Sequence, residues 1–266
     1  MKATEPDNRP VITMRGVTVG SLAAPGAVVA QAVNWTVAAG EFWAVAGLHG
    51  AGKSDFLLLT AGLMAPLAGE YEFLGEPMPI FAEERLPHRL KLGLVFEDAR
   101  LFNTLTVAEN VALPLRYHRG PADVAARVAD LLAALELTPF ADTHPGQLGR
   151  NWQRRAALAR ALALGPEVLC LDNPLAGLDP RQRRWWLEWL VSLADGHGLN
   201  GGRPLTLVVS ADGLRAWRGV ARRFALLEGR QFTVLGDWAG VEQSGHALVR
   251  ELRGTREPEF DPRGGI

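Results

Sequence analysis

Eight consecutive residues, Gly47-Leu48-His49-Gly50-Ala51-Gly52-Lys53-Ser54, carry the clearest chemistry in this chain. They fit the pattern G-x-x-x-x-G-K-[ST]. Glycines let the backbone curl so that successive N–H groups face phosphate oxygens. A lysine at this place reaches the β- and γ-phosphates of a nucleotide, and the following hydroxyl reaches Mg²⁺. The candidate phosphate contacts are therefore Gly47, Gly50, Ala51, Gly52, Lys53, Ser54 and Asp55. A second element fits beside them. Asp172 ends the apolar run Val168-Leu169-Cys170-Leu171. A carboxylate at the carboxyl end of a neighbouring strand can hold Mg²⁺, directly or through water. Each piece alone also fits a bland reading, a glycine-rich turn with a chance lysine or an ordinary aspartate opening a loop. Their occurrence together, in matching local context, favours the phosphate site.

Such residues need strands and helices to place them. Glu41 to Ala46 reads as a short buried strand entering the loop. Asp55 to Ala61 reads as a helix leaving it, whose N-terminal dipole favours anions. Val11 to Met14 and Val28 to Val33 are rich in β-branched residues and predict an N-terminal β layer. Glu70 to Leu74 predicts another strand, punctuated by Gly69, Gly75 and Pro77. Between 122 and 137, Val124, Val128, Leu131, Leu132 and Leu135 fall on one helical face. Residues 98–150 read as a mainly helical insert. Ala156 to Leu164 and Arg181 to Leu193 read as helices, and Val168 to Leu171 and Leu205 to Val209 as buried strands. Trp185, Trp186 and Trp189 crowd one helix, where core packing is the expected role. Alternating strands and helices imply a parallel sheet covered by helices. The expected class is α/β, a parallel phosphate-loop core with an N-terminal antiparallel β layer and a helical insert.

Composition bounds the rest. A chain of 266 residues can bury a sizeable core. Its 48% hydrophobic and 21% charged content is ordinary for a globular protein. A net charge of −1 gives no general attraction to nucleic acid or to an anionic membrane, so no nucleic-acid partner is expected. The single cysteine, Cys170, excludes an intrachain disulfide and reads as a buried thiol. Met1 to Pro10 is polar, without a signal-peptide core. The longest nearly apolar stretch, Phe56 to Ala68, is too short to span a bilayer. A cytoplasmic location follows as the expectation. The last dozen residues read as a flexible tail.

The segment Leu171-Asp172-Asn173-Pro174-Leu175-Ala176-Gly177-Leu178-Asp179-Pro180 resembles the ATP-binding subunit of ABC transporters. The resemblance covers residues 11–250, leaving 251–266 as a tail. Leu92 to Asp98 looks like the family's strand leading into the Q-loop, and Leu105 to Val111 like the start of its helical insert. Arg154 to Leu162 resembles the helix after its signature motif, although alone it also fits an amphipathic helix with a basic face. Leu178-Asp179 looks like its D-loop. Asn110 to Arg116 resembles the matching segment in ATPase subunits of Mla-type, MCE-linked lipid transporters. The resemblance implies ATP and Mg²⁺ as ligands, with Ser54, Glu97 and Asp172 as metal candidates. It implies two partners, a membrane permease and a second ATP-binding subunit in a homo- or heterodimer. It places the chain in the cytoplasm, peripheral to the inner membrane through the permease.

The chain departs from that family where hydrolysis is done. Asn173 stands in place of the family's glutamate, and an amide cannot accept a proton from water at neutral pH. Ala211 stands in place of its histidine. Catalytic residues are thus left unassigned. Leu148-Gly149-Arg150-Asn151-Trp152 lines up with L-S-G-G-Q, losing the serine and the close-approach glycines. Glu97 replaces the Q-loop glutamine, Asp55 replaces a Ser or Thr, and the adenine-stacking aromatic is missing near Val19, Gly20 and Ser21. Three readings result. The first is a transporter subunit that binds Mg-ATP with weak or absent hydrolysis. The second is a structural or regulatory docking subunit that binds no nucleotide. The third is an ordinary ATPase rescued by Glu97 or by partner residues.

Overall fold

The computed structural model describes residues 9–78, 85–118 and 124–254. Residues 122 and 123 of the expected helix and the last dozen residues of the tail lie outside these. Chain order is β1 (Pro10–Gly20), β2 (Val28–Ala38), β3 (Phe42–Ala46), α1 (Lys53–Thr60), β4 (Ala68–Phe73), β5 (Glu76–Met78), α2 (Leu86–Arg89), β6 (Leu92–Val95) and α3 (Val107–His118). Then follow α4 (Val124–Ala134), α5 (Arg150–Leu162), β7 (Val168–Leu171), α6 (Pro180–Asp195), β8 (Thr206–Ala211), β9 (Arg223–Glu228), β10 (Gln231–Gly236), α7 (Trp238–Gln243) and α8 (Ala247–Gly254). Helix α8 carries regular structure past residue 251, where the sequence reading began the tail.

Two sheets form. The larger has order β10-β9-β3-β8-β7-β6. Its neighbours from β9 to β6 are parallel, and only β10 runs antiparallel to β9. Strands β3, β7 and β8 are buried along their whole length, which explains their uninterrupted apolar sequences. The smaller sheet has order β2-β1-β4-β5 and is antiparallel throughout. This is the expected core and the expected β layer. The strand read at Glu70 to Leu74 joins that layer beside β1, with Phe73 opposite Ile12.

Each face of the larger sheet has its own core. Phe42, Ala44 and Ala46 of β3 point to the helical side, with Trp186, Leu190 and Leu158. Trp43 and Val45 point to the antiparallel layer, with Trp35, Phe56 and Phe73. The alternation of β3 side chains thus glues helices to one face and the second sheet to the other. Cys170 lies in the second core, fully buried, and burial pushes its thiol up to about 12.

Local signals account for the helix ends near the site. Helix α3 starts behind a capping box. The Thr106 N–H donates to Glu109 Oε2 at 2.8 Å, and the Glu109 N–H donates to Thr106 Oγ1 at 3.2 Å. Asp179 caps α6 by accepting from the Gln182 N–H at 2.9 Å, with Pro180 at the first helical position. Asn110, fully buried in α3, gives its amide to the carbonyls of Phe102, Leu105 and Thr106 and accepts from the Phe102 N–H. One side chain therefore fixes the loop between β6 and α3.

Candidate functional site

The phosphate loop leaves the carboxyl end of β3 and enters α1, which opens at Lys53, two residues before the expected start. Two glycines are sterically required there. A Cβ on Gly47 would sit 2.5 Å from the Leu227 carbonyl oxygen. One on Gly52 would sit 2.1 Å from Val29 Cγ1, and Gly52 has φ +89°. Gly52 occupies the N-cap of α1 without any side-chain cap, so the first turn keeps its N–H groups for an incoming anion.

Lys53 is buried at 7% exposure, with its ammonium folded into the loop. It donates to the carbonyls of Gly47 at 2.7 Å and Leu48 at 2.8 Å, and pairs with Asp212 Oδ1 at 2.8 Å. Asp212 follows β8. Burial opposes its ionisation, but the Lys53 ammonium and the Asn173 amide outweigh this and hold the carboxyl below its ordinary value. Asp55, in the first turn of α1, directs Oδ1 to the Leu22 N–H at 3.1 Å. Its charge is thus engaged by the loop after β1, where the expected aromatic is missing.

Asp172 lies at the end of β7, which is not the immediate neighbour of β3; β8 stands between them. That intervening strand supplies a residue the sequence reading missed. Ser210, fully buried, donates its hydroxyl to Asp172 Oδ1 at 2.6 Å and accepts from the Asn173 N–H at 2.8 Å. It fixes the candidate metal carboxylate and the residue after it together. Asn173 has φ +42°, a left-handed conformation that asparagine tolerates better than most residues. Its side-chain amide donates to Asp212 Oδ2 at 2.7 Å and to Glu97 Oε2 at 3.3 Å.

A cavity of about 420 Å³ opens beside the first turn of α1 and the end of β7. Ser54, Glu97 and Asp172, the three metal candidates, all line it, together with Arg100, Arg150 and Arg154. The hard oxygen donors suit Mg²⁺, which binds through one or two carboxylates plus substrate phosphates. Ala211, fully buried at the end of β8, presents only a methyl group and accepts the Gly47 N–H with its carbonyl at 3.2 Å.

Helix α5 does not fit the bland reading of an amphipathic helix with a basic face over Arg154 to Leu162. Arg154 and Arg155 are buried at 3% and 5% exposure. Arg154 Nε donates to the Glu97 carbonyl at 2.7 Å, and its Nη1 to the Ala176 carbonyl at 2.5 Å. Arg155 lies over Trp152 and Trp185, 4.5 Å and 3.5 Å from the ring centres, and pairs with Glu136. The guanidinium fork suits such fixed polar contacts better than water-facing charge does. The region aligned with the signature is also spent on packing. Asn151 Oδ1 accepts from Trp186 Nε1 at 3.0 Å, and Trp152 packs at a tilt against Phe140. Trp186 is fully buried, while Trp185 and Trp189 pack partly buried on the same core.

Ser210, Asp212 and Arg154 were legible only as letters. The available signal for the first two was their position, at the end of a buried strand that lies between β3 and β7. Nothing in sequence spacing reveals which strand that is.

The chain is similar to known proteins in sequence and in fold. The ABC transporter family model matches residues 30–176. The methionine import ATP-binding protein MetN of Caulobacter vibrioides is 35% identical over 198 residues, covering 74% of this chain and 58% of its own length. The sulfate/thiosulfate import ATP-binding protein CysA of Bradyrhizobium diazoefficiens is 41% identical over 167 residues, covering 60% and 47%. The chain thus spans about half the length of the curated relatives it matches. Among solved structures, the dimeric ATP-binding cassette MJ0796 in a post-hydrolysis state with ADP and Pi is 28% identical, with a TM-score of 0.73 and coverage of 83% of this chain and 95% of that one. Phosphate loop, fold and family model converge, and the chain belongs to the ABC transporter family as an ATP-binding domain.

Proposed function

We propose that the chain is the Mg-ATP-binding subunit of an import-type ABC transporter and that it hydrolyses ATP slowly. One observation carries the binding part: Lys53 is held inside a glycine loop while Ser54 and Asp172 line one cavity at its foot. Ser54 and Asp172 would hold Mg²⁺, and a bound Mg²⁺ neutralises phosphate charge during transfer. Lys53 would exchange its loop carbonyls and Asp212 for phosphate oxygens. Slow turnover rests on Asn173 and Ala211, neither of which can take a proton from water or hold one for the γ-phosphate. Loss of a general base costs about 10²–10⁴-fold in rate.

The relatives named as import ATP-binding proteins favour the import direction and a permease partner. The dimeric relative favours pairing with a second ATP-binding subunit. No helix among the described residues is long and apolar enough to cross a membrane, so attachment at the cytoplasmic face of the inner membrane would run through the permease. The likeness of Asn110 to Arg116 to Mla-type subunits gives no cargo argument, because Asn110 is occupied with the carbonyls of its own loop. A docking subunit without nucleotide is the less favoured reading, since Lys53 folds into the glycine loop and Ser54 and Asp172 line one cavity.

Titration calorimetry of the purified chain with Mg-ATP tests this. Saturable binding, lost or weakened at least ten-fold in Lys53→Ala, is expected. No heat of binding at millimolar Mg-ATP would refute the assignment. Turnover at the rate of an ordinary member would refute the slow-hydrolysis part.

A further inference from the structure

Strands β6 and β7 are parallel and in register, with Val95 opposite Leu171. Two residues past the end of each strand stand Glu97 and Asn173. They therefore emerge at one level, side by side, and the Asn173 amide reaches Glu97 Oε2 at 3.3 Å. An amide and a carboxylate share this level, with the carboxylate in the loop after β6 and the amide in the loop after β7. Relative to the family resemblance the two chemistries have changed places: acid where an amide is expected, amide where an acid is expected.

From this register pairing we propose that Glu97 supplies the base that Asn173 cannot, and that the slow turnover of this chain runs through it. The inference rests on the Mg-ATP-binding reading above. The neighbouring carboxylates are engaged elsewhere. Asp212 is paired with Lys53 at 2.8 Å, and Asp172 accepts the Ser210 hydroxyl at 2.6 Å. Glu97 is exposed to the cavity that Ser54 and Asp172 line, and its hydrogen bond comes from the Asn173 amide. Its backbone is fixed, because Arg154 holds the Glu97 carbonyl and the Ala176 carbonyl with one guanidinium. The Glu97 backbone is thus tied to the loop carrying Asn173. In the step assigned to it, the water oxygen forms a bond to the γ-phosphorus and one water O–H bond breaks. That proton goes to the Glu97 carboxylate. The bond from the γ-phosphorus to the bridging oxygen breaks, and its electron pair leaves on ADP. The Asn173 amide hydrogens go to Asp212 and Glu97, and its side-chain oxygen accepts the other water O–H and orients the water. Glu97 accordingly serves the water rather than the metal.

The test is a reciprocal exchange in the full chain: Glu97→Gln, Asn173→Glu, and both together. Single-turnover hydrolysis is followed with protein in excess over labelled Mg-ATP, and Mg-ATP affinity is measured by calorimetry on the same samples. Glu97→Gln should lower the rate about 10²-fold or more, with the dissociation constant within about three-fold of the parent. The double variant should regain at least ten-fold over Glu97→Gln alone, because it restores one acid at the shared level. Undiminished hydrolysis in Glu97→Gln overturns the proposal, as does a double variant no faster than Glu97→Gln. So does a parent that binds Mg-ATP with no single turnover. Loss of binding in Glu97→Gln would assign Glu97 to the ligand and overturn the base role while leaving the Mg-ATP reading intact. A parent that binds no Mg-ATP would instead refute that underlying reading. A thermal melt of each variant confirms that folded protein is compared.

Discussion

Ser210→Ala removes one oxygen from the molecule and disconnects two strands' ends. In the wild-type chain this hydroxyl is fully buried on β8, donates to Asp172 Oδ1 at 2.6 Å and accepts from the Asn173 N–H at 2.8 Å. Alanine fits the space, so no packing term of consequence enters. The loss is in the hydrogen bonds. A hydrogen bond to a charged group contributes about 1.5–3 kcal/mol, and a buried N–H left without an acceptor costs about 1–3 kcal/mol. Asp172 sits at the cavity, where water can replace part of its lost donor, which favours the low end of the first range. The expected loss is about 2–4 kcal/mol. For a chain of this size that corresponds to a fall in melting temperature of roughly 4–16 °C. Urea denaturation and thermal melting check the magnitude. Thr233→Ala, an exposed position on β10, serves as control and should stay within about 0.5 kcal/mol. Mg-ATP affinity should fall in Ser210→Ala as well, because the carboxylate and the Asn173 peptide lose their common anchor. A destabilisation below about 0.5 kcal/mol, with unchanged affinity, would refute the claim that β8 organises the end of β7.

Two other outcomes follow from the geometry. Gly52→Ala should destabilise the chain by about 2 kcal/mol or more and abolish calorimetric Mg-ATP binding, since its Cβ would meet Val29 and φ is +89°; a melting temperature equal to the parent's would contradict it. Glu136 is held below its ordinary carboxyl value of 4.5, chiefly by its hydrogen bond from Arg155, with burial opposing and Trp185 assisting. Its folded-state pKa therefore lies below its unfolded value. The resulting stability is complete above pH 4.5 and is lost as pH falls through the folded value. Glu136 is largely exposed, so solvent screening keeps the effect small. Denaturation midpoints measured downward from pH 5 should show a shallower acid loss in Glu136→Gln than in the parent, and parallel curves would contradict the assignment.

Much of the site was readable without coordinates, because its strongest elements are local. A phosphate loop is a contiguous run whose glycines and lysine act within one strand–turn–helix unit. Buried parallel strands show as unbroken apolar runs, which is why β3, β7 and β8 were found with small boundary shifts. The capping of α3 is equally local, a three-residue step from Thr106 to Glu109. Amphipathic spacing likewise located α4 but could not say what it packs on.

Other features depended on which strands became neighbours. Spacing in sequence placed Asp172 far from Lys53 and left open what lay between them. The crossovers insert β8 there, and that order makes Ser210 and Asp212 part of the site. The arginines of α5 look like surface charge in one dimension. Only the packing of α5 beneath the loops after β6 and β7 turns Arg154 into a clamp on two carbonyls. The register of β6 with β7 decides that Glu97 and Asn173 meet. The sequence by itself determined the glycine-rich loop, the acid that ends a buried strand and the fold that holds them, since each rests on short-range pattern. The tertiary structure alone decided which polar groups meet at the site, because hydrogen bonds between side chains 38 to 76 residues apart exist only after parallel strands have been set in order and register.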